Sequence, residues 1–420
     1  MARRKSKPAQ FLIYSSILDA PMSDTSADPI VIVAAARTAM GGFQGVFSSL
    51  TAAELGAVAI KAAVARAQVA GDDVSEVLMG CVLPAGQGQA PARQASRGAG
   101  LPDHVPCTTV NKMCGSGMKT VMLAFEALHA RPDDVIVAGG MESMTNAPYL
   151  LPKMRGGARL GHAEVKDHMF LDGLEDAYEK GRLMGTYAED TAQQFQFTRE
   201  AQDGFAIESL RRAKAANEDG RFASEIVPVT VKGRKGAVEV VRDEQPFTAE
   251  PARIPLLKPA FREGGTVTAA NSSSISDGAA ALVLMRKSEA SRRKLKPLAR
   301  IAGVASHAQA PAWFTTAPVG AIGKLMAATG WKAGDIDLYE INEAFAVVTM
   351  AAMRELDLPH DKVNVHGGAC ALGHPIGASG ARIIVSLLAA LEIRGGRRGI
   401  ASLCIGGGEA TAVAVERIAS

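Results

Sequence analysis

Two cysteines and one histidine in this chain lie beside glycine-rich turns, where a side chain can meet a substrate. Cys114 begins a Cys-Gly-Ser-Gly segment, His374 lies within Gly-His-Pro-Ile-Gly, and Cys404 precedes Ile405 and three glycines. A thiolate is a strong nucleophile, and an imidazole beside a thiol can take its proton. These residue types indicate acyl transfer through a cysteine, with Cys114 as the nucleophile.

The segment 111–117 predicts a strand-to-helix elbow around Cys114. Such a turn exposes the side chain and leaves backbone N–H groups free, and a helix N-terminus favours a thiolate. The alternative is a buried structural cysteine whose glycines serve only close packing, and a lone cysteine would favour it.

Other candidates carry similar alternatives. Asn342 follows a predicted strand, where it could orient a water or the imidazole, or simply cap a helix. Cys404 ends a hydrophobic strand, where its thiol could act as acid or base on carbon or be a small core residue. The N–H groups of the glycines that follow, Gly406 first, could face an oxyanion.

Short β-branched runs alternate with alanine-rich helical stretches, which predicts an α/β fold. The order strand, helix, strand occurs in both halves of the chain, which indicates an internal duplication. The predicted elements are 30–34, 52–67 and 74–81 in the first half, and 298–304, 319–329 and 336–341 in the second.

The duplication also relates the candidate residues. Cys114 lies 41 residues after Asp73, and His374 lies 39 residues after Asp335. Each precedes a predicted helix, 118–128 or 381–391, and each helix precedes a strand that ends in glycines. We therefore expect the two helix N-termini to meet at a shared centre.

A segment rich in Met, Arg, Asp and Glu interrupts the alternation and predicts an inserted, lid-like domain at residues 145–270. The remaining boundaries are an N-terminal extension at 1–28, expected to be disordered, a first domain at 29–144 plus 271–295, and a second at 296–420. The extension has four basic residues before its first acid, Asp19. We favour an upstream extension and a cytoplasmic protein; a mitochondrial targeting segment is the alternative.

Composition excludes several classes. The 46 basic and 43 acidic residues are interspersed, and aromatic residues make up 5%, so we expect no nucleic-acid partner. No apolar run reaches the roughly 18–20 residues of a membrane span. The five cysteines form no even disulfide framework, which favours a reducing compartment. His162, His168 and His366 lack ligand spacing, so no metal is expected.

The chain resembles the thiolases, most closely the short-chain acetyl-CoA acetyltransferases, from about residue 29 to the C-terminus. The segments that carry the resemblance are 114–117, 342–345, 373–380 and 404–408. It implies two duplicated βαβαβαββ-type domains in a layered α/β/α/β/α arrangement with an inserted loop domain. It also implies a homodimer or homotetramer.

The resemblance implies reversible condensation of two acetyl-CoA molecules to acetoacetyl-CoA and CoA. Cys114 would be acylated and His374 would activate it. His374 and a water held by Asn342 would form one oxyanion hole, and the N–H groups of Cys114 and Gly406 would form the other. Cys404 would move the proton at the α-carbon.

Coenzyme A thioesters would be substrates, with no permanently bound cofactor. By resemblance, Ser273 would contact the pantetheine, and Leu174, Met184 and Phe345 would lie along the CoA site. Leu183 stands where many short-chain members have histidine, which leaves a CoA contact and the chain-length range open. An aromatic residue at Phe314 would favour a small acyl group.

Four alternatives follow. A degradative 3-ketoacyl-CoA thiolase for longer or branched chains shares every catalytic segment. A ketoacyl synthase would use two histidines, against Cys404 and Asn342 here. A nucleotide-dependent oxidoreductase needs a Gly-x-Gly-x-x-Gly fingerprint that residues 34–45 lack. A non-catalytic scaffold would have lost catalytic residues, and none is missing.

Overall fold

The computed structural model describes residues 27–233 and 236–418. Most of the predicted N-terminal extension lies outside this part of the chain. The strands are β1 (Ile30–Arg37), β2 (Gly41–Gly42), β3 (Glu76–Gly80), β4 (Cys107–Val110), β5 (Ile136–Ser143), β6 (Tyr149–Leu150), β7 (Lys166–Asp167), β8 (Val229–Gly233), β9 (Gly236–Val240), β10 (Ser276–Arg286), β11 (Ala299–Ala308), β12 (Leu338–Ile341), β13 (Arg398–Ile405) and β14 (Glu409–Arg417). The α-helices are α1 (Ala52–Ala67), α2 (Pro91–Gly98), α3 (Ser116–Ala130), α4 (Met184–Phe195), α5 (Arg199–Glu218), α6 (Lys287–Arg292), α7 (Ala317–Thr329), α8 (Ala346–Glu355), α9 (Ala369–Leu372) and α10 (Ser379–Ile393).

The sheet repeats one topology in its two halves. The first half runs β4-β3-β5-β10-β1 and the second β12-β13-β14-β11, joined edge to edge where Val31 lies opposite Arg300. Beside β12, Val363 pairs in parallel with Tyr339, at the place that β4 occupies in the first half. The predicted duplication is confirmed.

Helices α3 and α10 lie between the two halves of the sheet. Alternate side chains of β1 point to opposite faces of the sheet. Ile30 and Ile32 pack in the central core with these helices, whereas Val31 and Val33 pack in the outer core with α1. This is the period of two expected of a strand. Helix α7 covers the second half from outside. The predicted α/β/α/β/α layering is confirmed.

Local chemistry explains the clearest helix boundary. Thr51 caps α1: its side chain accepts the N–H of Glu54, and the Glu54 carboxylate accepts the N–H of Thr51. This reciprocal pair satisfies two helix N–H groups that otherwise lack partners. Helix α1 therefore begins where the sequence predicted.

The chain between β5 and β10 lies off the main sheet. It contains α4, α5 and two small antiparallel hairpins, β6-β7 and β8-β9. Thr198 caps α5 by accepting the N–H of Ala201. Ser209 on α5 donates to Glu343 at 2.7 Å, which attaches this segment to the second half. The predicted boundaries 145–270 stay a prediction.

The prediction that glycines end both related strands was wrong for the first half. Strand β5 continues through Gly139 and Gly140 to Ser143, whereas β13 ends at Ile405, before its glycines. A Cβ on Gly140 would lie 2.1 Å from the carbonyl oxygen of Gly377, so neighbouring backbone requires glycine inside this strand.

Among the described helices, none has the length and apolarity needed to cross a membrane.

Candidate active site

The N-termini of α3 and α10 meet in the middle layer, as the duplicated register predicted. A Cβ on Gly117 would lie 2.9 Å from the backbone nitrogen of Ala381, and one on Gly380 would lie 2.3 Å from that of Met118. Each distance is shorter than real Cβ contacts. Glycine at both helix starts is therefore what lets Cys114 and His374 approach one centre.

The elbow before α3 places Cys114 on a strained backbone. Met113 has φ +46°, an uncommon left-handed value for a residue with a side chain. The N–H of Gly115 donates to Lys112 O at 3.0 Å, and that of Ser116 donates to Met113 O at 2.9 Å. Such strain concentrates at functional sites. The elbow was predicted, but its strain at Met113 was not.

The half-buried thiol of Cys114 faces backbone donors. Its own N–H and the N–H of Gly406 both donate toward the sulfur, which lowers the pKa. Burial has the larger effect and raises the pKa of Cys114 to about 11, with a small further increase from Glu142. The thiol is therefore protonated at neutral pH and needs a base to react.

The contacts of His374 determine its tautomer. Nδ1 lies 2.6 Å from Ser379 Oγ, and Ser379 Oγ donates its proton to Pro375 O at 2.9 Å. Because the hydroxyl has one proton, it must accept from Nδ1–H, which leaves Nε2 with a free lone pair. Burial, and then Arg382, lowers the pKa of His374 to about 3, so the ring is neutral.

Asn342 faces His374, with Nδ2 3.5 Å from Nε2 of the imidazole. Its Oδ1 accepts from Arg382 Nη2 at 3.4 Å. The helix-cap alternative is wrong: α8 begins at Ala346 and its N-cap residue is Phe345. Asn342 lies directly after β12, and its side chain faces His374 rather than capping a helix.

Cys404 is buried at the end of β13. Burial raises the pKa of its thiol well above the ordinary value, and the nearby sulfur of Cys114 raises it further. Gly407 and Gly408 then adopt φ +94° and +93°, which turn the chain into β14. This turn holds the N–H of Gly406 over Cys114. The structure thus groups Cys114 with Gly406 and Cys404, and His374 with Asn342, and the meeting of α3 and α10 brings the two groups to one region.

Two apolar clusters flank the centre. Leu174 and Cys114 both pack against a cluster that contains Ile376 and Met169. Cys404 lies in the second cluster, whose other members include Met184, Tyr187, Phe314 and Phe345.

Phe314 is buried, and its ring meets Tyr187 edge-on at 6.2 Å. The side chain of Met184 approaches Gly406, whose added Cβ would lie 3.4 Å from its sulfur. Ser273 donates its N–H to Ala344 O at 2.9 Å and is half-buried. Leu183 is the N-cap residue of α4 and makes no side-chain cap bond. These positions stay predictions for CoA contact.

Sequence reasoning missed several residues that shape the site. Ser379 and Arg382 touch His374 and Asn342, and they recur with Ser386 at helical spacing on an otherwise apolar buried helix. That pattern was the available signal. Phe261, which meets Phe345 edge-on at 5.9 Å, had no such signal.

Glu142 was also missed. Its buried carboxylate accepts the N–H groups of Val82 and Gly377, both at 2.9 Å, and that of Leu83 at 3.2 Å. Burial raises the pKa of Glu142 to about 7. The residue joins the first half of the chain to the loop that carries His374.

The histidines set aside in the sequence lie apart from these contacts. His168 Nδ1 lies 2.6 Å from Asp172, and His366 meets the ring of Phe222 edge-on at 5.8 Å. Within residues 27–233 and 236–418, no group of three or more His, Cys, Asp or Glu side chains is placed to hold a metal ion.

Comparison with known proteins agrees with the resemblance. The family model described as "Thiolase, N-terminal domain" matches residues 30–288, and "Thiolase, C-terminal domain" matches residues 295–417. Acetyl-CoA acetyltransferase 2 of Arabidopsis thaliana is 51% identical over 390 residues, covering 92% of this chain and 96% of the relative. The cytosolic acetyl-CoA acetyltransferase of Mus musculus is 49% identical, covering 94% and 100%.

A solved structure is also similar. The Acat5 thiolase of Ascaris suum in complex with coenzyme A superposes with a TM-score of 0.88 at 40% identity. The match covers 93% of this chain and all of that one.

Proposed function

This chain belongs to the thiolase family, and we propose that it is an acetyl-CoA C-acetyltransferase. It condenses two acetyl-CoA molecules to acetoacetyl-CoA and CoA, and runs the reverse thiolysis, through an acetyl-Cys114 intermediate. Coenzyme A thioesters enter as substrates, with no resident cofactor. The carrying observation is the meeting of two helix N-termini that puts the Cys114 thiol under the N–H of Gly406 and near Cys404.

In the first half-reaction, Cys114 Sγ attacks the carbonyl carbon of acetyl-CoA and His374 Nε2 takes the thiol proton. The bond from the acetyl carbon to CoA sulfur breaks, and CoA leaves with that proton. Burial keeps both side chains neutral beforehand, so proton transfer accompanies S–C bond formation. The N–H groups of Cys114 and Gly406 stabilise the oxyanion.

In the second half-reaction, the Cys404 thiol first passes its proton to His374 Nε2, and the resulting thiolate removes a proton from the methyl carbon of a second acetyl-CoA. The resulting carbanion attacks the acetyl carbon on Cys114, a C–C bond forms, and the Cys114 sulfur leaves and takes the proton held on His374 Nε2. A carbanion beside a thioester needs its enolate oxygen stabilised, the role of His374 and of a water bound by Asn342. The raised pKa of Cys404 makes its thiolate, once formed, a strong base for such a proton.

Curated relatives named acetyl-CoA acetyltransferase, at 47–51% identity, support acetoacetyl-CoA as the substrate. The buried ring of Phe314 in the Cys404 cluster supports a small acyl group. Steady-state thiolysis tests this preference: kcat/KM should be higher for acetoacetyl-CoA than for a six- to eight-carbon 3-ketoacyl-CoA. A clear preference for the longer substrate would establish the degradative alternative.

Mass spectrometry after brief exposure to acetyl-CoA or acetoacetyl-CoA tests the intermediate. One added acetyl group should map to Cys114. No adduct in the wild type, or an undiminished adduct in Cys114→Ala, would refute the mechanism. Cys404→Ala is the matched cysteine variant, and it should acquire the acetyl group yet form no C–C bond.

We propose that the enzyme is a homodimer, paired further into a tetramer. Strand β4 is an edge strand of the sheet, and a second copy could extend the sheet there. Large apolar side chains are exposed in the stretch from Tyr149 to Tyr178, including Leu160 at 98%. Sedimentation should give a tetramer, and a Leu160→Asp variant should give dimers.

We also propose a cytoplasmic location, because curated relatives include a cytosolic form; they also include mitochondrial forms. The intact mass of the native protein would decide between them. Removal of the basic N-terminal segment would support import.

A further inference from the structure

Helix α10 carries a line of polar side chains through the middle of the molecule. Ser379, Arg382 and Ser386 are buried among apolar neighbours, at spacings of three and four residues. That spacing places them on one face of the helix. Ser379 contacts His374, Arg382 contacts Asn342, and Ser386 donates to Glu225 at 2.9 Å, away from the centre.

Arg382 is fully buried, which is expensive for a permanent cation. Its closest carboxylate is that of Glu340, at 3.8 Å from Nη1. The bond from Nη2 to Asn342 Oδ1, at 3.4 Å, is the one hydrogen bond that its side chain makes within the described chain. The guanidinium is thus committed to a single amide, which belongs to the candidate site.

The hydrogen bonds from Arg382 run in one direction. Arg382 has only donors, so the Asn342 amide must present its oxygen to it. The Asn342 NH₂ group then points to Nε2 of His374. This nitrogen carries an unshared lone pair, because the proton of the ring is on Nδ1 and is donated to Ser379. Both ends of this chain lie on the first turns of α10.

We propose that Arg382 is a positioning residue for acyl transfer: it holds the Asn342 carboxamide with its N–H donors facing His374 and the substrate oxygen. Without Arg382, the amide could rotate by half a turn and place an acceptor where the reaction needs a donor. This inference rests on the proposed function, because it assigns Asn342 to the oxyanion hole.

The charge of Arg382 acts in the same direction. Arg382 is the charged group that lowers the pKa of His374, in addition to burial, and so keeps Nε2 unprotonated. The charged side chains around Arg382 are Glu340, Glu343, Glu225 and Arg37. Burial raises the pKa values of all three of these glutamates, which weakens their neutralisation of Arg382.

The duplicated helix offers a matched control. Lys119 occupies the place in α3 that Arg382 occupies in α10. It is the fourth residue of Ser-Gly-Met-Lys at the start of α3, and Arg382 is the fourth residue of Ser-Gly-Ala-Arg at the start of α10. Its side chain is partly exposed and pairs with Glu126 at 3.4 Å. Lys119→Met therefore removes a cation at the equivalent position without touching Asn342.

The test is a double-mutant cycle in acetoacetyl-CoA thiolysis. Arg382→Met should lower kcat by about 10²-fold, as expected when a catalytic group is misplaced, with KM changed little. The Arg382→Met/Asn342→Ala double variant should be no slower than Asn342→Ala alone. Both changes remove the same hydrogen-bond donor, the correctly oriented NH₂ group of Asn342. Lys119→Met should match the wild type.

Alkylation of Cys114 by iodoacetamide against pH gives a readout that needs no CoA turnover. In Arg382→Met the acid limb of the profile should move to higher pH, because the pKa of His374 rises when the cation is lost. Arg382→Lys, which keeps the charge, should shift it less. A loss of stability with an unchanged profile would assign Arg382 a merely structural role.

Fully additive losses in the cycle, or a fall in kcat of less than about threefold for Arg382→Met, would overturn the proposal. If Arg382→Met yields no folded protein, Arg382→Lys takes its place in the cycle, with about a tenfold loss and the same non-additivity expected. An absent acetyl adduct on wild-type Cys114 would instead defeat the proposed function.

Discussion

Helices α3 and α10 occupy equivalent places in the two halves, yet they do different work. Both begin with serine and glycine, and each serine hydroxyl donates to a carbonyl of the preceding turn: Ser116 to Met113 O at 2.6 Å, and Ser379 to Pro375 O at 2.9 Å. The duplicated frame therefore supplies the same helix start twice.

The difference lies in what each serine accepts. Ser116 Oγ accepts the backbone N–H of Lys112 at 2.8 Å, so it braces the strained elbow of the proposed nucleophile. Ser379 Oγ accepts the Nδ1–H of His374, so it orients the proposed base. The same helix start therefore serves two purposes. At α3 the serine holds the backbone that positions Cys114, whereas at α10 the serine holds the side chain of His374 directly.

The largest expected effect is loss of the base. His374→Ala should lower kcat for acetoacetyl-CoA thiolysis by about 10²–10⁴-fold, because the pKa of Cys114, near 11, leaves little thiolate at pH 7. Iodoacetamide alkylation of Cys114 at pH 7 should slow in parallel. His104→Ala, at an exposed histidine, is the control, and a loss below about fivefold in His374→Ala would contradict the role.

The close approach of the two helices should be visible in stability. Gly117→Ala and Gly380→Ala should each cost about 1–3 kcal/mol through overpacking, with Gly380 worse because its Cβ would meet backbone at 2.3 Å. Gly204→Ala in α5 is the control, since its Cβ meets nothing within 4 Å and should be neutral or stabilising. Thermal unfolding measures all three; equal Tm values would disprove the contact.

Glu142, which follows the first glycine run, should make the stability of the protein depend on pH. Burial raises the pKa of Glu142 from 4.5 to about 7, so its contribution to stability is present below about pH 4.5 and is lost as pH rises through 7. Between pH 5 and 8, Glu142 should remove about 2 kcal/mol of stability as pH rises, against a gain below about pH 6.5 from His374, whose pKa is lowered to about 3.

Relative to the wild type, Glu142→Gln should lack this loss of stability as pH rises, measured by thermal unfolding. Glu409→Gln, at a partly exposed glutamate that pairs with Lys112, is the matched control. Glu340, whose pKa is raised to about 8, acts in the same direction in all three proteins. An unchanged slope in Glu142→Gln would show that another group carries the pH dependence.

The smallest expected effect separates the two serines. Ser379→Ala should lower kcat about five- to tenfold at constant KM, the equivalent of one hydrogen bond of about 1 kcal/mol lost from His374. Ser116→Ala should lower Tm more than Ser379→Ala does, because it releases backbone at the elbow. If both variants lost kcat equally at unchanged Tm, the division between backbone and side-chain support would be wrong.

Much of this arrangement was predictable. The period of apolar residues predicted α1, and the glycine-flanked Cys114 and His374 predicted two helix starts that meet. The repeat of 41 and 39 residues related them before any contact was known. The continuation of β5 through Gly139 was not predictable, because local rules treat consecutive glycines as a strand end.

The sequence by itself determined the duplicated α/β fold, the family and the set of candidate reactive residues, because those depend on local periodicity and on short motifs. Only the tertiary structure decided the glycine-lined contact of Gly140 with Gly377, the tautomer of His374 and the facing of the Asn342 amide. These features depend on packing between residues far apart in the chain. Small differences in that packing determine whether a hydrogen-bond donor faces the candidate active site or points away from it.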